Sequence, residues 1–184
     1  KLFIKILISS IPVIIAGFLL VKTNYIESLR SIEVIGWSTL IFGILLYISD
    51  KVKLVNDIDN NFTFKASILI GFFQILALIP GVSRSGITIT SARILGFKRY
   101  DASKISFLLS IPALGAVSIF GVKNIVFSDN VDLSIINLVV ILLSFIFSFI
   151  TIKYFLKYIQ KFSLNIFVIY RIFLGISLLI LAYL

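Results

Sequence analysis

Residues 66–97 read ASILIGFFQILALIP, then GVSRSG, then ITITSARILGF, and this stretch decides the fold. The first arm has about 14 apolar-rich residues and the second about ten, whereas a spanning helix needs roughly 17–25. The polar turn between the arms cannot face lipid. Two short helices joined by a Gly-rich polar turn are typical of a hairpin buried in protein. The sequence therefore predicts a re-entrant helical hairpin over 66–97.

Five longer apolar stretches surround this hairpin, each near the length that crosses a bilayer: 6–21, 34–49, 105–122, 133–152 and 164–184. Of all residues, 60% are hydrophobic, and the mean hydropathy is +1.16. One soluble core of this size could not hide that much apolar surface. We predict an all-α polytopic membrane protein of about five transmembrane helices plus the hairpin, forming a single membrane domain over 1–184.

The two polar connections have different patterns. Residues 22–33 are partly amphipathic and predict a short interfacial helix, and residues 50–65 form the most polar loop. With a re-entrant hairpin, eleven basic residues share one face: Lys1, Lys5, Lys51, Lys53, Lys65, Lys98, Arg99, Lys104, Lys153, Lys157 and Lys161. The other face carries Lys22, Arg30 and Lys123. If the first arm crossed the membrane, one face would carry six basic residues and the other face eight. The positive-inside rule favours the re-entrant version, with the C-terminus outside.

Composition excludes several functions. The chain has no Cys and no His, so disulfides, thiolate metal sites and a histidine base are excluded. The formal net charge is +9, but the basic residues lack the interleaved aromatic pattern of a nucleic-acid surface, so we expect no nucleic-acid partner. The sequence begins at Lys1 and contains no Met. We therefore expect its natural N-terminus to lie upstream.

Arg84 lies at the tip of the hairpin and needs an anionic partner. An Arg at the centre of a membrane helix costs roughly 2.5–3.5 kcal/mol on insertion scales. The carboxylates all fall in predicted loops: Glu27, Glu33, Asp50, Asp57, Asp59, Asp101, Asp129 and Asp132. We expect a ligand anion, or an acid from a missing part of the protein, to pair with Arg84.

The neighbours of this arginine suit a phosphate group. Gly81 and Gly86 let the backbone turn tightly and approach a ligand. Ser83 and Ser85 offer hydroxyl donors and can cap the helix that begins near residue 87, whose first amides point into the turn. Thr88 follows one turn inside that helix. Because an arginine fork can grip two phosphate oxygens, the segment predicts an anion cradle at membrane depth.

Alternatives remain open at this point. The turn could be a kink whose arginine snorkels to an interface, and Arg93 could snorkel near the end of the second arm. Gln74 is either a helix–helix hydrogen-bonding residue or a site residue. Tyr170 and Arg171 begin the last apolar stretch, and Arg171 could line the cavity or lie at the interface.

Four segments together resemble one protein family. ALIPGVSRSGITIT at 77–90 is similar to the second signature of the undecaprenyl-pyrophosphate phosphatase (bacitracin resistance) family. The overlapping FFQILALIPG, SFLLSIPA at 106–113 and IYR at 169–171 look like that family too. The likeness covers essentially the whole chain.

The resemblance implies a polytopic enzyme of the bacterial inner (plasma) membrane. Such an enzyme removes the terminal phosphate of undecaprenyl diphosphate, and the monophosphate product carries peptidoglycan precursors. The resemblance places Ser83, Arg84, Ser85 and Thr88 against the pyrophosphate, with Arg84 and Ser83 as the catalytic candidates. It also implies two inverted repeats, each with a hairpin, of which this chain holds the second. Membrane lipids and a second copy in a homodimer are the other expected partners.

One departure from the family pattern matters. The family's first signature, an E-G-x-T-E run followed by P-V-S-S-T-G-H, is missing from this sequence. That signature carries the acidic residues implicated in catalysis and metal binding. We therefore assign no metal ligand here and expect a divalent cation, Mg²⁺ or Ca²⁺, to be held by the missing N-terminal part. Residues 1–184 alone should not turn over substrate. A lipid-phosphate transporter or flippase, and a non-catalytic lipid-binding protein, are the rival functions.

Overall fold

The computed structural model of the protein describes residues 2–23, 29–51, 55–126 and 135–184. Its helices are α1 (Leu2–Thr23), α2 (Ile32–Lys51), α3 (Ile58–Asn61), α4 (Phe64–Ile75), α5 (Arg84–Ile94), α6 (Arg99–Val126), α7 (Ile135–Lys161) and α8 (Asn165–Tyr183). A 3₁₀ turn, Leu76–Leu78, follows α4. No strand occurs within these ranges, apart from an isolated bridge between Asn56 and Phe97. The predicted all-α fold is confirmed.

Five helices are long and apolar enough to cross a membrane, and they correspond to the five predicted spans. The predicted limits were too narrow where a helix continues past its apolar stretch. Helix α6 begins at Arg99 rather than near 105, and α7 ends at Lys161 rather than at 152. Long basic side chains can reach water from a helix end while the backbone stays helical, so charge does not mark the helix end.

Small residues bring α2 and α8 into close contact. A Cβ on Gly175 would lie 3.0 Å from the Leu40 nitrogen and 3.1 Å from the Gly36 oxygen. A Cβ on Gly43 would lie 3.2 Å from the Cβ of Arg171. Glycines at a helix–helix contact let backbones approach closely, which is the usual packing device inside membranes. This contact fixes Arg171 against α2.

Helices α1 and α4 are held together in the same way. A Cβ on Gly71 would collide with the Ser9 backbone, so only glycine fits at this crossing. The Ser9 hydroxyl donates to the Ser67 carbonyl across the contact, and both side chains are buried. The first arm of the hairpin is thereby anchored to α1.

The segment 66–97 forms the two predicted short helices, α4 and α5, joined by a turn. Its two ends lie together: the Asn56 amide donates to the Gly96 oxygen at 3.0 Å, and the Lys98 amide donates to the Asn56 oxygen at 3.0 Å. The Phe62 ring packs edge-on against Phe97, with 6.1 Å between ring centroids. The helix pair therefore leaves and returns to the same end of the bundle. Entry of this pair into a bilayer stays a prediction.

The polar connections differ from expectation in part. Of the interfacial helix predicted over 22–33, residues 24–28 lie outside the described ranges, while residues 22–23 end α1 and residues 32–33 begin α2. The loop predicted over 50–65 is shorter, because Asp50 and Lys51 belong to α2 and the segment contains the short helix α3. The Asp57 carboxylate caps α3 by accepting from the Asn60 amide at 2.9 Å, and this bond holds the pKa of Asp57 below its ordinary value.

Candidate functional site

The N-terminus of α5 forms the centre of the site. Ser83 precedes the helix in extended conformation, and its Oγ accepts from the Gly86 amide at 3.2 Å. Ser85 Oγ lies 3.2 Å from Ser83 Oγ. Since an N-cap satisfies only one of the free amides in the first turn, others remain available at a positive helix end. All four residues from Ser83 to Gly86 are partly exposed, so a ligand can reach them.

Gly81 explains the tight turn before this helix. Its φ is +90°, a conformation that favours glycine, and an added Cβ would collide with Ser38 Oγ and the Ile35 oxygen. The Gly81 carbonyl accepts from Thr39 Oγ1 at 3.3 Å, and Ser38 donates to the Pro80 carbonyl. The expected tight turn is present. The backbone approach that requires Gly81 is an approach to α2, and a ligand contact at this residue stays a prediction.

Arg171 reaches the turn from α8. Its Nη2 donates to the Gly81 oxygen at 2.9 Å, across 90 positions of sequence. A Cβ on Gly86 would lie 3.1 Å from Arg171 Nη1, so the guanidinium occupies the space that the missing side chain leaves. The residue is 8% exposed, and its Nε has no hydrogen-bond partner among the described residues. Of the two positions considered for Arg171, the structure shows the one inside the bundle.

Arg84 is the second cation of the site. It is half-buried, and its buried Nη1 has no hydrogen-bond partner in the part of the chain that the structure describes. Within the described ranges, the ion pairs involve Arg93 and Arg99 only. The described residues therefore give neither Arg84 nor Arg171 a carboxylate. A desolvated arginine fork without a counter-ion is suited to hold an anion such as phosphate.

Thr88 points away from the partly exposed turn. It is 0% exposed, and its hydroxyl lies 2.9 Å from the Arg84 oxygen, 3.1 Å from the Ser85 oxygen and 2.7 Å from Ser106 Oγ. The contact with Ser106 joins α5 to α6, whereas the other two lie within α5. A substrate contact by Thr88 stays a prediction.

Gln74 lies near the end of α4, six residues before Pro80. Its side chain is 0% exposed, and neither amide atom has a hydrogen-bond partner among the described residues. Leaving such a group unpaired costs about 1–3 kcal/mol. The expected helix–helix hydrogen bond is therefore not seen in this part of the chain, and a substrate contact by Gln74 stays a prediction.

Asp50 corrects one sequence prediction and decides one open alternative. It was assigned to a loop, but it is buried in the last turn of α2. Arg93, for which snorkelling was left open, is 4% exposed, lies 3.5 Å from Asp50 Oδ1 and donates to the Phe97 and Asp50 carbonyls at 3.1 Å. Arg99 Nε donates to Asp50 Oδ1 at 2.7 Å. Other acids predicted in loops also lie in helical first turns, namely Glu33, Asp59 and Asp101.

The described residues do not fit a metal ion. They contain no group of three or more His, Cys, Asp or Glu side chains that could hold one. The buried carboxylate of Asp50 is occupied by two guanidinium groups. At the turn the donors are arginines, hydroxyls and amides, which bind anions rather than cations.

Comparison with known proteins identifies the family. The bacitracin resistance protein BacA family model matches residues 1–177. An undecaprenyl-diphosphatase of Pelagibacter ubique is 51% identical over 184 residues, which are 100% of this chain and 72% of that protein. Undecaprenyl-diphosphatases of Jannaschia sp. (37% identical, 100% of this chain and 68% of that protein) and Elusimicrobium minutum (39%, 99% and 68%) are also similar. The chain, whose described helices include five of spanning length, belongs to the bacitracin resistance protein BacA family.

Proposed function

We propose that this protein hydrolyses undecaprenyl diphosphate to undecaprenyl phosphate and phosphate, which recycles the lipid carrier for peptidoglycan synthesis and gives bacitracin resistance. Its family and the names of its relatives, which are undecaprenyl-diphosphatases, support this reaction. The observation that carries the assignment of the site is the pair Arg84 and Arg171. Beside the partly exposed N-terminus of α5, each guanidinium group has one buried nitrogen without a hydrogen-bond partner, and neither group has a carboxylate, among the described residues.

The two arginines would neutralise the diphosphate. A diphosphate carries several negative charges on oxygens that accept hydrogen bonds, and phosphoryl transfer is accelerated mainly by positioning and by charge stabilisation. Arg84 and Arg171 supply two positive charges, and the first amides of α5 add hydrogen-bond donors. The charge stabilisation needed for cleavage of the anhydride thus has a source in this chain.

The smaller residues would hold the headgroup. Ser83 and Ser85 have partly exposed hydroxyls that face each other at 3.2 Å, so a phosphate oxygen can replace their mutual hydrogen bond. Gly81 and Gly86 shape the backbone around it. Thr88 and Gln74 are kept as weaker proposals, because the first is bonded inward and the second has no described contact with the turn.

The described site holds positive charge and hydrogen-bond donors without a general base. The described residues near the turn offer neither a histidine nor a free carboxylate. We therefore propose that the base, and the ligands of an Mg²⁺ or Ca²⁺ ion, come from residues outside 1–184.

The protein is a multi-pass membrane protein. We propose that it lies in the bacterial inner membrane with residues 57 and 98 in the cytoplasm and the C-terminus outside. In cysteine-accessibility experiments, Asp57→Cys and Lys98→Cys should be labelled from the cytoplasmic side, and Ile26→Cys and Asn130→Cys from outside. If 57 and 98 were labelled from opposite sides, segment 66–97 would cross the membrane. A homodimer and an origin in two inverted repeats also stay proposals.

The reaction can be tested by phosphate release from a soluble prenyl diphosphate in detergent, with Mg²⁺ or Ca²⁺ added. The complete protein should release phosphate, and its Arg84→Ala variant should not. Absence of release by a folded, membrane-extracted protein, together with movement of labelled lipid phosphate across vesicles, would replace this proposal with the transporter. Weak binding without either activity would leave a lipid-binding protein.

A further inference from the structure

A second buried polar cluster lies at the other end of the helix pair, around Asp50. Its carboxylate is 3% exposed and accepts from Arg99 Nε at 2.7 Å, from Arg99 Nη2 at 3.1 Å and from the Leu164 amide at 3.1 Å. Arg93 Nη2 lies 3.5 Å from the same carboxylate. One side chain at the end of α2 thus joins the end of α5, the start of α6 and the start of α8.

The contact with Leu164 matters most for the site. Leu164 precedes α8 and has no side-chain cap of its own. The Asp50 carboxylate therefore takes the place of a capping side chain, and a negative charge at this end of α8 also suits the helix dipole. Arg171 lies seven residues further along, about 10 Å at 1.5 Å per residue. Asp50 consequently fixes the helix that delivers Arg171 to the turn.

The contact between Asp50 and Arg93 bears on Arg84, the other cation of the site. Arg93 belongs to the last turn of α5, whose first residue is Arg84. Its guanidinium also donates to the Phe97 and Asp50 carbonyls, so the end of α5 is bonded to the end of α2. The two helices that carry Arg84 and Arg171 therefore share one buried anchor.

We infer that Asp50, with Arg93 and Arg99, is a positioning cluster that sets the separation of Arg84 and Arg171. This inference rests on the proposed function. Asp50 contacts no reacting atom: along α2 it lies 11 residues from Thr39, which is about 16 Å. Removing its charge should loosen α8 relative to α5, and a misplacement of about 1 Å can cost roughly a hundredfold in rate.

Asp50→Asn is the informative variant, because it keeps the shape and loses the charge. In the complete protein we expect kcat to fall about 10- to 100-fold with KM changed by less than about threefold. Asp57→Asn is the matched control, since Asp57 caps the short helix α3 and Asn caps equally well. It should leave both constants unchanged. All rates are taken per folded protein, measured by size exclusion in detergent.

A double-mutant cycle separates positioning from simple support of the fold. Once Arg171→Ala has removed the positioned group, adding Asp50→Asn should cost little more, whereas independent effects would multiply. Spin labels at Ile41→Cys on α2 and Ile169→Cys on α8, both on exposed faces, give a second readout. Their distance distribution should broaden in Asp50→Asn and stay narrow in Asp57→Asn.

The outcomes distinguish this inference from the proposed function. Near-normal turnover in Arg171→Ala would overturn the assignment of Arg171 to the site. A defective Arg171→Ala together with a normal Asp50→Asn, or multiplicative effects in the double variant, would overturn the positioning role alone. If Asp50→Asn does not fold, Arg99→Lys replaces it, since it keeps the charge and loses the two-pronged contact. It should then show the same kcat loss and the same non-additivity with Arg171→Ala, and multiplicative effects would again refute positioning.

Discussion

Two arginines lie at each end of the α4–α5 helix pair, and the two pairs of arginines differ in their partners. At the base, Arg93 and Arg99 lie 3.5 Å and 2.7 Å from the buried carboxylate of Asp50. At the tip, Arg171 donates to the Gly81 carbonyl, and Arg84 and Arg171 each keep one buried nitrogen without a hydrogen-bond partner among the described residues. The two base arginines thus share one carboxylate, whereas the described residues give the tip arginines none.

This difference supports a structural role for the base arginines and is the basis for proposing a functional role for the tip arginines. A buried charge is stable when it is paired and hydrogen-bonded, and an uncompensated one is costly. Each arginine at membrane depth costs roughly 2.5–3.5 kcal/mol on insertion scales. If the helix pair enters the bilayer as predicted, two such residues without an acid among the described residues would carry a cost that binding of an anion would offset. The base needs no ligand, whereas the tip is suited to one.

Arg84→Ala should reduce activity most. Phosphate release should fall by at least about 100-fold, because loss of one positioned charge-stabilising donor costs roughly 10²–10³ in rate. Arg84→Lys should recover little of it, since the fork is lost. The exposed Arg30→Ala serves as the control for loss of a positive charge. Near-normal turnover in Arg84→Ala would remove this residue from the site.

Gly86→Ala, at the contact between Arg171 and α5, should reduce activity less than Arg84→Ala. The Cβ of Gly86→Ala would lie 3.1 Å from Arg171 Nη1, so the guanidinium must shift by a few tenths of an ångström. We expect kcat/KM to fall about tenfold, less than the roughly hundredfold expected for a 1 Å displacement. Gly115→Ala, with nothing within 4 Å, should have no effect. Equal rates for both variants would show that the fit between Arg171 and Gly86 is unimportant.

Ser83→Ala tests how much the helix cap at the tip contributes to turnover. It removes one cap, worth about 1 kcal/mol, and should lower turnover about fivefold if the hydroxyl only binds. Ser31→Ala removes a similar cap from α2, where Ser31 accepts from the Val34 amide at 3.2 Å, and should leave turnover unchanged. A loss as large as that of Arg84→Ala would instead place the Ser83 hydroxyl in the chemistry.

The smallest effect on rate is expected at Thr88. Thr88→Val leaves the Ser106 hydroxyl without this partner and should lower the free energy of unfolding by about 1–3 kcal/mol. Turnover per folded protein should change less than about twofold, because the hydroxyl faces α6. Thermal unfolding and phosphate release on the same sample decide this. A large rise in KM without loss of stability would show that Thr88 contacts substrate.

The sequence predicted the elements better than their contacts. The five spans follow from apolar length, and the helix pair follows from two short arms around a Gly/Ser turn. The turn also identified Arg84 and its neighbours. Asp50 was misassigned because its partners lie 43 and 49 positions away, and no local pattern reports such a pair. An acid directly after an apolar stretch was the available signal.

The contact of Arg171 with the turn was equally hard to predict. The two residues that meet there, Gly81 and Arg171, are 90 positions apart, so the sequence left a cavity and an interface position open. Thr88 follows Arg84 by four positions, which places both on one face of α5. The direction of its hydroxyl depends on Ser106, 18 positions further on. Such tertiary contacts lie beyond helical periodicity.

We propose that the tip arginines, and not the base arginines, bind the diphosphate. The most direct measurement is the rise in melting temperature of the purified complete protein on titration with farnesyl diphosphate. Wild type and Arg99→Lys should both show the ligand-induced rise, although Arg99→Lys starts from a lower melting temperature. Arg84→Ala and Arg171→Ala should lose the rise while their ligand-free melting temperatures stay close to wild type. An undiminished rise in both tip variants, or its loss in Arg99→Lys alone, would contradict the claim.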